Sequence, residues 1–198
     1  MPETRRAHIV WAHPRVDSLT AQVVAGIREM LADRSMAIDE LDLYRSGFDP
    51  VLHEPDEPDW ENPRKSYSPI VEGLAQRAQS ADVIVVVFPL WWYALPAMLK
   101  GYLDRVWNHG RMYGDGSKVT ASAVLWVTLA GLDRIALDKR GHIEALERQL
   151  DDGVAAYCGI ETSRTLVLDD TIDNPNLVSY LSTIAGEIDR LLEPKSDQ

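Results

Sequence analysis

The chain has a single cysteine, Cys158, so no disulfide can close within it. That favours a reducing compartment, and we expect a cytoplasmic protein. Basic side chains are outnumbered: Lys and Arg total 20 against 31 Asp and Glu, for a net charge of −11. A phosphate-backbone partner would need a basic patch, so nucleic-acid binding is not expected. The same charge suits docking to a basic redox partner. The apolar run after Asp82 is too short to span a bilayer, and no membrane insertion is expected. The opening MPETRRAHIVW has Arg5 and Arg6 but no long apolar stretch before His13, so no signal peptide is expected. The G-x-G-x-x-G dinucleotide fingerprint is absent, and so is a Gly-x-Ser-x-Gly elbow. Cys158 sits in the apolar segment Ala155–Ile160, which gives nucleophilic catalysis little support. His8, His13, His53, His109 and His142 lack paired ligand spacing, so no metal site is expected.

What the chain does contain is 45% apolar residues over 198 positions. That is enough for one domain, 1–198, with a substantial core. Strand and helix patterns alternate from end to end. His8–Ala12 reads as a buried strand, and Asp17 or Ser18 caps a helix reaching about Asp33. Ala37–Leu43 alternates apolar and acidic residues, as an edge strand does. Arg45–Tyr67 is rich in Pro, Asp and Glu without periodicity; such a loop is functional or mobile, and a lid over the substrate is one expectation. A helix from Ser68-Pro69 to about Ser80 precedes a central strand over Asp82–Phe88. Then follow a helix starting near Ala94 with Pro96 in its first turn, a strand over Val119–Val127, and a loop over Thr128–Gly141. His142–Tyr157 reads as a helix, Ser163–Leu168 as a strand and Asn176–Leu192 as a closing helix. Strands alternating with helices in this way imply a doubly wound parallel α/β sheet.

The most informative stretch is FPLWWYALPAMLKGYLDRVWN, residues 88–108. A run of buried-strand residues stops at Pro89, and Trp91, Trp92 and Tyr93 follow directly. Three exposed aromatics at a strand end are costly in water unless core, a subunit or a flat ligand covers them. In open α/β sheets, ligands lie beyond the carboxyl ends of the strands. The stripe Leu95, Met98, Leu99, Tyr102, Leu103, Val106 and Trp107 has helical spacing and reads as core or subunit contact. At the end of the first strand, His13, Ser18 and Thr20 can hold an anion at a helix N-terminus. Taken alone, they read better as a satisfied loop histidine and a helix cap. Val127-Thr128-Leu129-Ala130-Gly131 ends another strand in small residues that allow close backbone approach to a flat ring. Beyond it, Arg134, Lys139, Arg140 and His142 bring positive or protonatable groups that could offset charge or deliver a proton, or simply face solvent.

These motifs resemble the flavodoxin-like NAD(P)H:quinone oxidoreductases of the DT-diaphorase and potassium-efflux ancillary type. The resemblance runs from Arg6 to about Ile160. Its anchors are Ala12-His13-Pro14 with Ser18, the block from Phe88 to Gly101, Asp104–Trp107, His109–Gly114 and Tyr157-Cys158-Gly159. It implies a five-stranded parallel sheet in the order 2-1-3-4-5 and a non-covalent flavin, FMN or FAD, reduced by NADPH or NADH. By position, His13, Ser18, Leu19 and Thr20 would surround the flavin phosphate and ribityl chain. Pro89, Leu90, Trp91, Trp92 and Tyr93 would line its ring, with Thr128, Leu129, Ala130 and Gly131 at the polar edge. His142 and Tyr93 are the candidate catalytic residues.

The resemblance also implies a homodimer, with Met112 and Tyr113 reaching the partner's flavin. Two departures stand out. Thr128-Leu129-Ala130-Gly131 replaces the family's Thr-Thr-Gly-Gly, whose altered side chains could narrow the pocket. Ala136 falls where the family places a tyrosine. The reading is a flavin-dependent NAD(P)H dehydrogenase acting on quinone-like acceptors; the alternative is a flavin-binding regulatory or electron-transfer partner with weak activity of its own.

Overall fold

The computed structural model describes residues 4–193. The strands are β1 (Arg6–Trp11), β2 (Ala37–Asp42), β3 (Val83–Pro89), β4 (Ala123–Leu129) and β5 (Thr162–Leu168). The α-helices are α1 (Leu19–Asp33), α2 (Pro69–Gln79), α3 (Ala97–Val106), α4 (Arg134–Asp138), α5 (His142–Glu147) and α6 (Leu177–Leu192). The sheet is entirely parallel, in the order β2-β1-β3-β4-β5, as the resemblance implied. Every residue of β3 and β4 is buried, which fits their near-continuous apolar sequences.

Strand alternation divides the core in two. Val10, Ile84, Val86, Phe88, Val124 and Trp126 face a layer built from α2, α3 and α5. Ile9, Val85, Val87, Leu125, Val127 and Leu129 face α1 and α6. Phe88 and Trp126 are fully buried, each contributing about 2–3 kcal/mol of transfer free energy.

Several boundaries differ from the sequence reading. β4 starts and ends later than Val119–Val127, because Thr128 and Leu129 pair with Phe88 and Pro89 of β3. Those two residues belong to the sheet, not to a loop. No helix starts at Ala94: the Ala94 N–H donates to Trp91 O at 3.1 Å, closing a turn. Pro96 is the N-cap of α3, with ψ 147°, and the helix begins after it. The loop over Thr128–Gly141 contains α4, capped by Asp133 accepting from the Ala136 N–H at 2.8 Å. The helix from His142 to Tyr157 changes pitch. After α5 it widens into a π-helix over Arg148–Ala155, and the Ala156 N–H reaches Asp151 O at 3.0 Å.

The Arg45–Tyr67 segment is not a free lid. Asp56 and Arg105 form an ion pair at 2.7 Å, with side chains only 2% and 5% exposed. Asp56 also accepts from the Ser68 N–H at 2.7 Å and hydroxyl at 2.9 Å. Burial works to raise the Asp56 pKa, but the guanidinium and the Ser68 bonds outweigh it and hold it below the usual carboxylate range. Arg105 bonds Asp49 O as well, and the Asn108 amide donates to Asp56 O at 2.6 Å. The loop backbone lies so close to its support that a Cβ on Gly101 would sit 2.1 Å from Pro50 O. One on Gly110 would sit 2.0 Å from Pro63 O. A glycine inside α3 costs about 1 kcal/mol of helix propensity, and this contact explains it.

Candidate active site

The carboxyl ends of β1, β3, β4 and β5 share one rim, and the loops after them carry the candidate residues. After β1, Ser18 caps α1, accepting from the Ala21 N–H at 3.1 Å. The N–H groups of the first turn, Leu19 and Thr20 among them, have no partner inside the helix. Arg45 holds this loop in place. Its guanidinium donates to His13 O at 2.7 Å and Pro14 O at 3.0 Å, pairs with Asp42 at 2.6 Å, and lies 4.8 Å from the Trp11 ring centroid. Burial lowers the His13 pKa, and the neighbouring Arg15 and Arg45 cations lower it further, against a raising hydrogen bond to Arg15 O. Leu19 leans into the α1–α6 core, so only its backbone faces the anion position.

After β3, the aromatic loop is held by the Leu90 N–H donating to Leu129 O at 2.8 Å. Trp92 and Tyr93 both take positive φ, 53° and 57°. Left-handed backbone at two consecutive bulky residues costs about 1–2 kcal/mol each. The strain turns the trio outward: Trp91, Trp92 and Tyr93 are 42%, 95% and 41% exposed. No core covers them. Trp91 meets the His13 ring at 6.0 Å, which joins the first loop to the third. Tyr93 stacks on His142, with centroids 3.7 Å apart and planes 14° from parallel.

At the end of β4, Thr128 is fully buried and its Oγ1 has no hydrogen-bond partner. His142 Nε2 is likewise buried without a partner. The Leu129 side chain points into the α1–α6 core, because β-strand side chains alternate. Leu129 therefore does not narrow the pocket, while Ala130, the other substituted residue, lines it. Gly131 does have a packing reason: a Cβ there would meet Ile172 Cδ1 at 2.5 Å.

Between these loops lies a cavity of about 560 Å³. Leu90, Trp92, Tyr93, Ala130 and Gly131 line it, as the sequence reading expected. Leu132, Leu137, Ile172 and Asp173 line it too, and sequence reasoning missed them. The signal was available in the topology, since the loop after β5 must reach the same rim as those after β3 and β4. Pro89, Trp91, Thr128, Leu129 and the His13–Thr20 residues do not line the cavity; Pro89, Thr128 and Leu129 belong to the strand ends of β3 and β4, and the others to the loops after β1 and β3 and the start of α1. Met112 is fully buried in its own core and cannot reach a partner's flavin, whereas Tyr113 is half-exposed beside Trp60 and Tyr157. Ala136 is also off the cavity wall.

A flavin suits these residues. The cavity lies within the range of small-molecule sites and is mostly apolar. Two buried polar atoms stand unpartnered: Thr128 Oγ1 near the end of β4, and His142 Nε2 on the ring that stacks against the lining residue Tyr93. A helix N-terminus for a phosphate lies one loop away. No group of three or more His, Cys, Asp or Glu among the described residues could hold a metal ion.

The fold and this rim define a flavodoxin-like protein, and residues 5–185 match the family described as Flavodoxin-like fold, to which the chain belongs. Among its relatives is an uncharacterized NAD(P)H oxidoreductase of Escherichia coli K12, 43% identical over 189 residues, covering 94% of this chain and 96% of that protein. NAD(P)H dehydrogenase [quinone] 1 of Cavia porcellus is 27% identical, over 81% of this chain and 67% of its own. Among solved structures, the NAD(P)H:quinone oxidoreductase of Methanothermobacter marburgensis superposes with a TM-score of 0.87 at 24% identity, covering 99% of this chain and all of that one. At that identity the superposition establishes the fold.

Proposed function

We propose that this chain is a flavin-dependent NAD(P)H dehydrogenase that reduces quinones or similar flat acceptors. The observation that carries the reading is the cavity walled by Leu90, Trp92, Tyr93 and Gly131, with the Tyr93–His142 stack at its side. The names of the relatives support it: the E. coli protein is called an NAD(P)H oxidoreductase and the Cavia porcellus one a quinone dehydrogenase.

A flavin, FMN or FAD, held here would supply two-electron hydride chemistry between NADPH or NADH and the acceptor. The chain's residues do the rest. His13, Ser18, Thr20 and the first-turn N–H groups of α1 hold the phosphate. Trp92, Leu132 and Ile172 exclude water and keep the reactants face to face, so that geometry supplies much of the rate. Ala130 and Gly131 allow the backbone to approach a ring edge. His142, held by Tyr93, carries a proton at Nε2 for the product or offsets charge near the ring.

We read the protein as cytoplasmic and as a homodimer whose second copy covers the exposed ring surface of Trp60, Tyr113 and Tyr157. No helix among the described residues is long and apolar enough to cross a membrane. Sedimentation at micromolar concentration gives the oligomeric state: a dimer is expected, and a monomer would overturn that part.

The decisive test is an anaerobic absorbance titration. Flavin bands that bleach with NADPH and return with benzoquinone establish both half-reactions, and chromatography of the released flavin decides between FMN and FAD. Bleaching without return by any small quinone favours the electron-transfer partner, which needs a protein acceptor. A colourless protein that takes up no flavin overturns the proposal.

A further inference from the structure

Asp173 is the one charged residue lining the cavity; the other walls are apolar or backbone. It is exposed and follows Ile172, which packs over Gly131. No ion pair among the described residues involves Asp173, Asp170, Asp169 or Asp133, all on the loops after β4 and β5. The side-chain bonds these four do make come from neutral donors: the Arg134 N–H to Asp169 at 2.8 Å, the Asn174 amide to Asp170 at 2.8 Å, and the Ala136 N–H to Asp133. Arg134, beside Asp133, turns its guanidinium to Asp138 at 3.2 Å, and Arg164, nearest in sequence to the other three, pairs with Glu187 at 3.4 Å. The mouth of an apolar cavity therefore carries one carboxylate, Asp173, without an ion-pair partner among the described residues, and low-dielectric walls focus its field on whatever enters.

We propose that Asp173 sorts acceptors by charge, so that the cavity takes uncharged or cationic flat acceptors and rejects those with a sulfonate or carboxylate beside the ring. The inference rests on the proposed reductase activity. The reduced nicotinamide ring is itself uncharged, so the rim admits the donor's reacting end.

The test compares 1,4-naphthoquinone with its 2-sulfonate, in the flavin-loaded protein at saturating NADPH. In Asp173→Asn, the ratio of sulfonate to neutral kcat/KM should rise about threefold to tenfold, as expected for one charge a few ångströms away near a surface. The gain should shrink as salt brings the Debye length below about 8 Å. Asp173→Lys should raise the ratio further. A second readout needs no turnover: quenching of tryptophan fluorescence by anthraquinone and by its 2-sulfonate gives the ratio of their dissociation constants, which should shift in the same direction. Ratios unchanged in Asp173→Asn and Asp173→Lys at low salt overturn the inference. If flavin binds but neither naphthoquinone is reduced, the proposed function fails instead, and the fluorescence ratio still decides the role of Asp173.

Discussion

Tyr93 and His142 lie face to face, 3.7 Å between ring centroids, although one comes from the loop after β3 and the other from the first turn of α5. The stack fixes the imidazole plane and leaves Nε2 buried and free of any partner. Such contacts contribute about 1 kcal/mol, near a factor of five in rate if the orientation matters only in the reaction. Tyr93→Leu should therefore lower quinone turnover about fivefold, while Tyr93→Phe stays within about twofold. Stopped-flow measurement of the acceptor half-reaction checks this. Equal losses in both variants would assign the effect to the hydroxyl and not to the stack.

Trp92 is almost wholly exposed on left-handed backbone, so its side chain stabilises little and its conformation costs something. Trp92→Gly relieves about 1–2 kcal/mol of strain and pays back part of it in unfolded-state entropy. The variant should be as stable as the parent within about 1 kcal/mol in a urea melt. Its affinity for flavin or for a flat acceptor should fall roughly tenfold, about the loss of one stacked aromatic wall. A large loss of stability would place the indole in the folding core after all.

Removing Asp56 strands a buried cation. Asp56→Ala should destabilise the protein by about 3–5 kcal/mol, because Arg105 keeps its charge and loses its partner. The double variant Asp56→Leu/Arg105→Met should recover much of that loss. Urea unfolding of the parent, Asp56→Leu, Arg105→Met and the double variant measures the coupling, and additive losses would mean that the two side chains act independently.

The depressed pKa of His13 sets a pH dependence for phosphate binding. A phosphate dianion beside the ring raises that pKa, so the bound state takes up a proton. Affinity for FMN should then increase as pH falls through the raised His13 pKa of the bound state, and the trend should turn over where the phosphate itself protonates, near about 6. Riboflavin, which lacks the phosphate, should show no such trend. Calorimetry in buffers of different ionisation enthalpy also counts the proton directly; a His13→Gln variant that keeps the full pH dependence would move its source elsewhere.

The parallel α/β class and the rim were legible in local patterns, namely apolar runs, a cap at Ser18 and the block from Phe88 to Gly101, whereas the strand order has no local signature and came only with the family resemblance. The left-handed turn at Trp92 and Tyr93 was not legible, since neither residue type announces positive φ. Ile172 and Asp173 escaped for another reason. Their importance comes from the crossover that returns β5 to the β4 edge, a contact without any sequence spacing to betray it. The clamp on the Arg45–Tyr67 segment was hidden the same way. Its acidic, proline-rich composition describes a solvated loop, and most of it is exposed, yet Asp56 finds Arg105 on α3 and pins that loop to the fold from within.

The two glycine–proline contacts under that loop separate two kinds of mutational sensitivity. In a saturation library sorted only for expression, Gly101 and Gly110 should be depleted of nearly every substitution, since any Cβ meets a backbone oxygen. Trp92 and Asp173 should pass the same sort almost untouched. Sorted again for bound flavin or reduced quinone, the pattern should change at the rim alone, so one pair of screens would map folding and chemistry as different sets of residues in the same short chain.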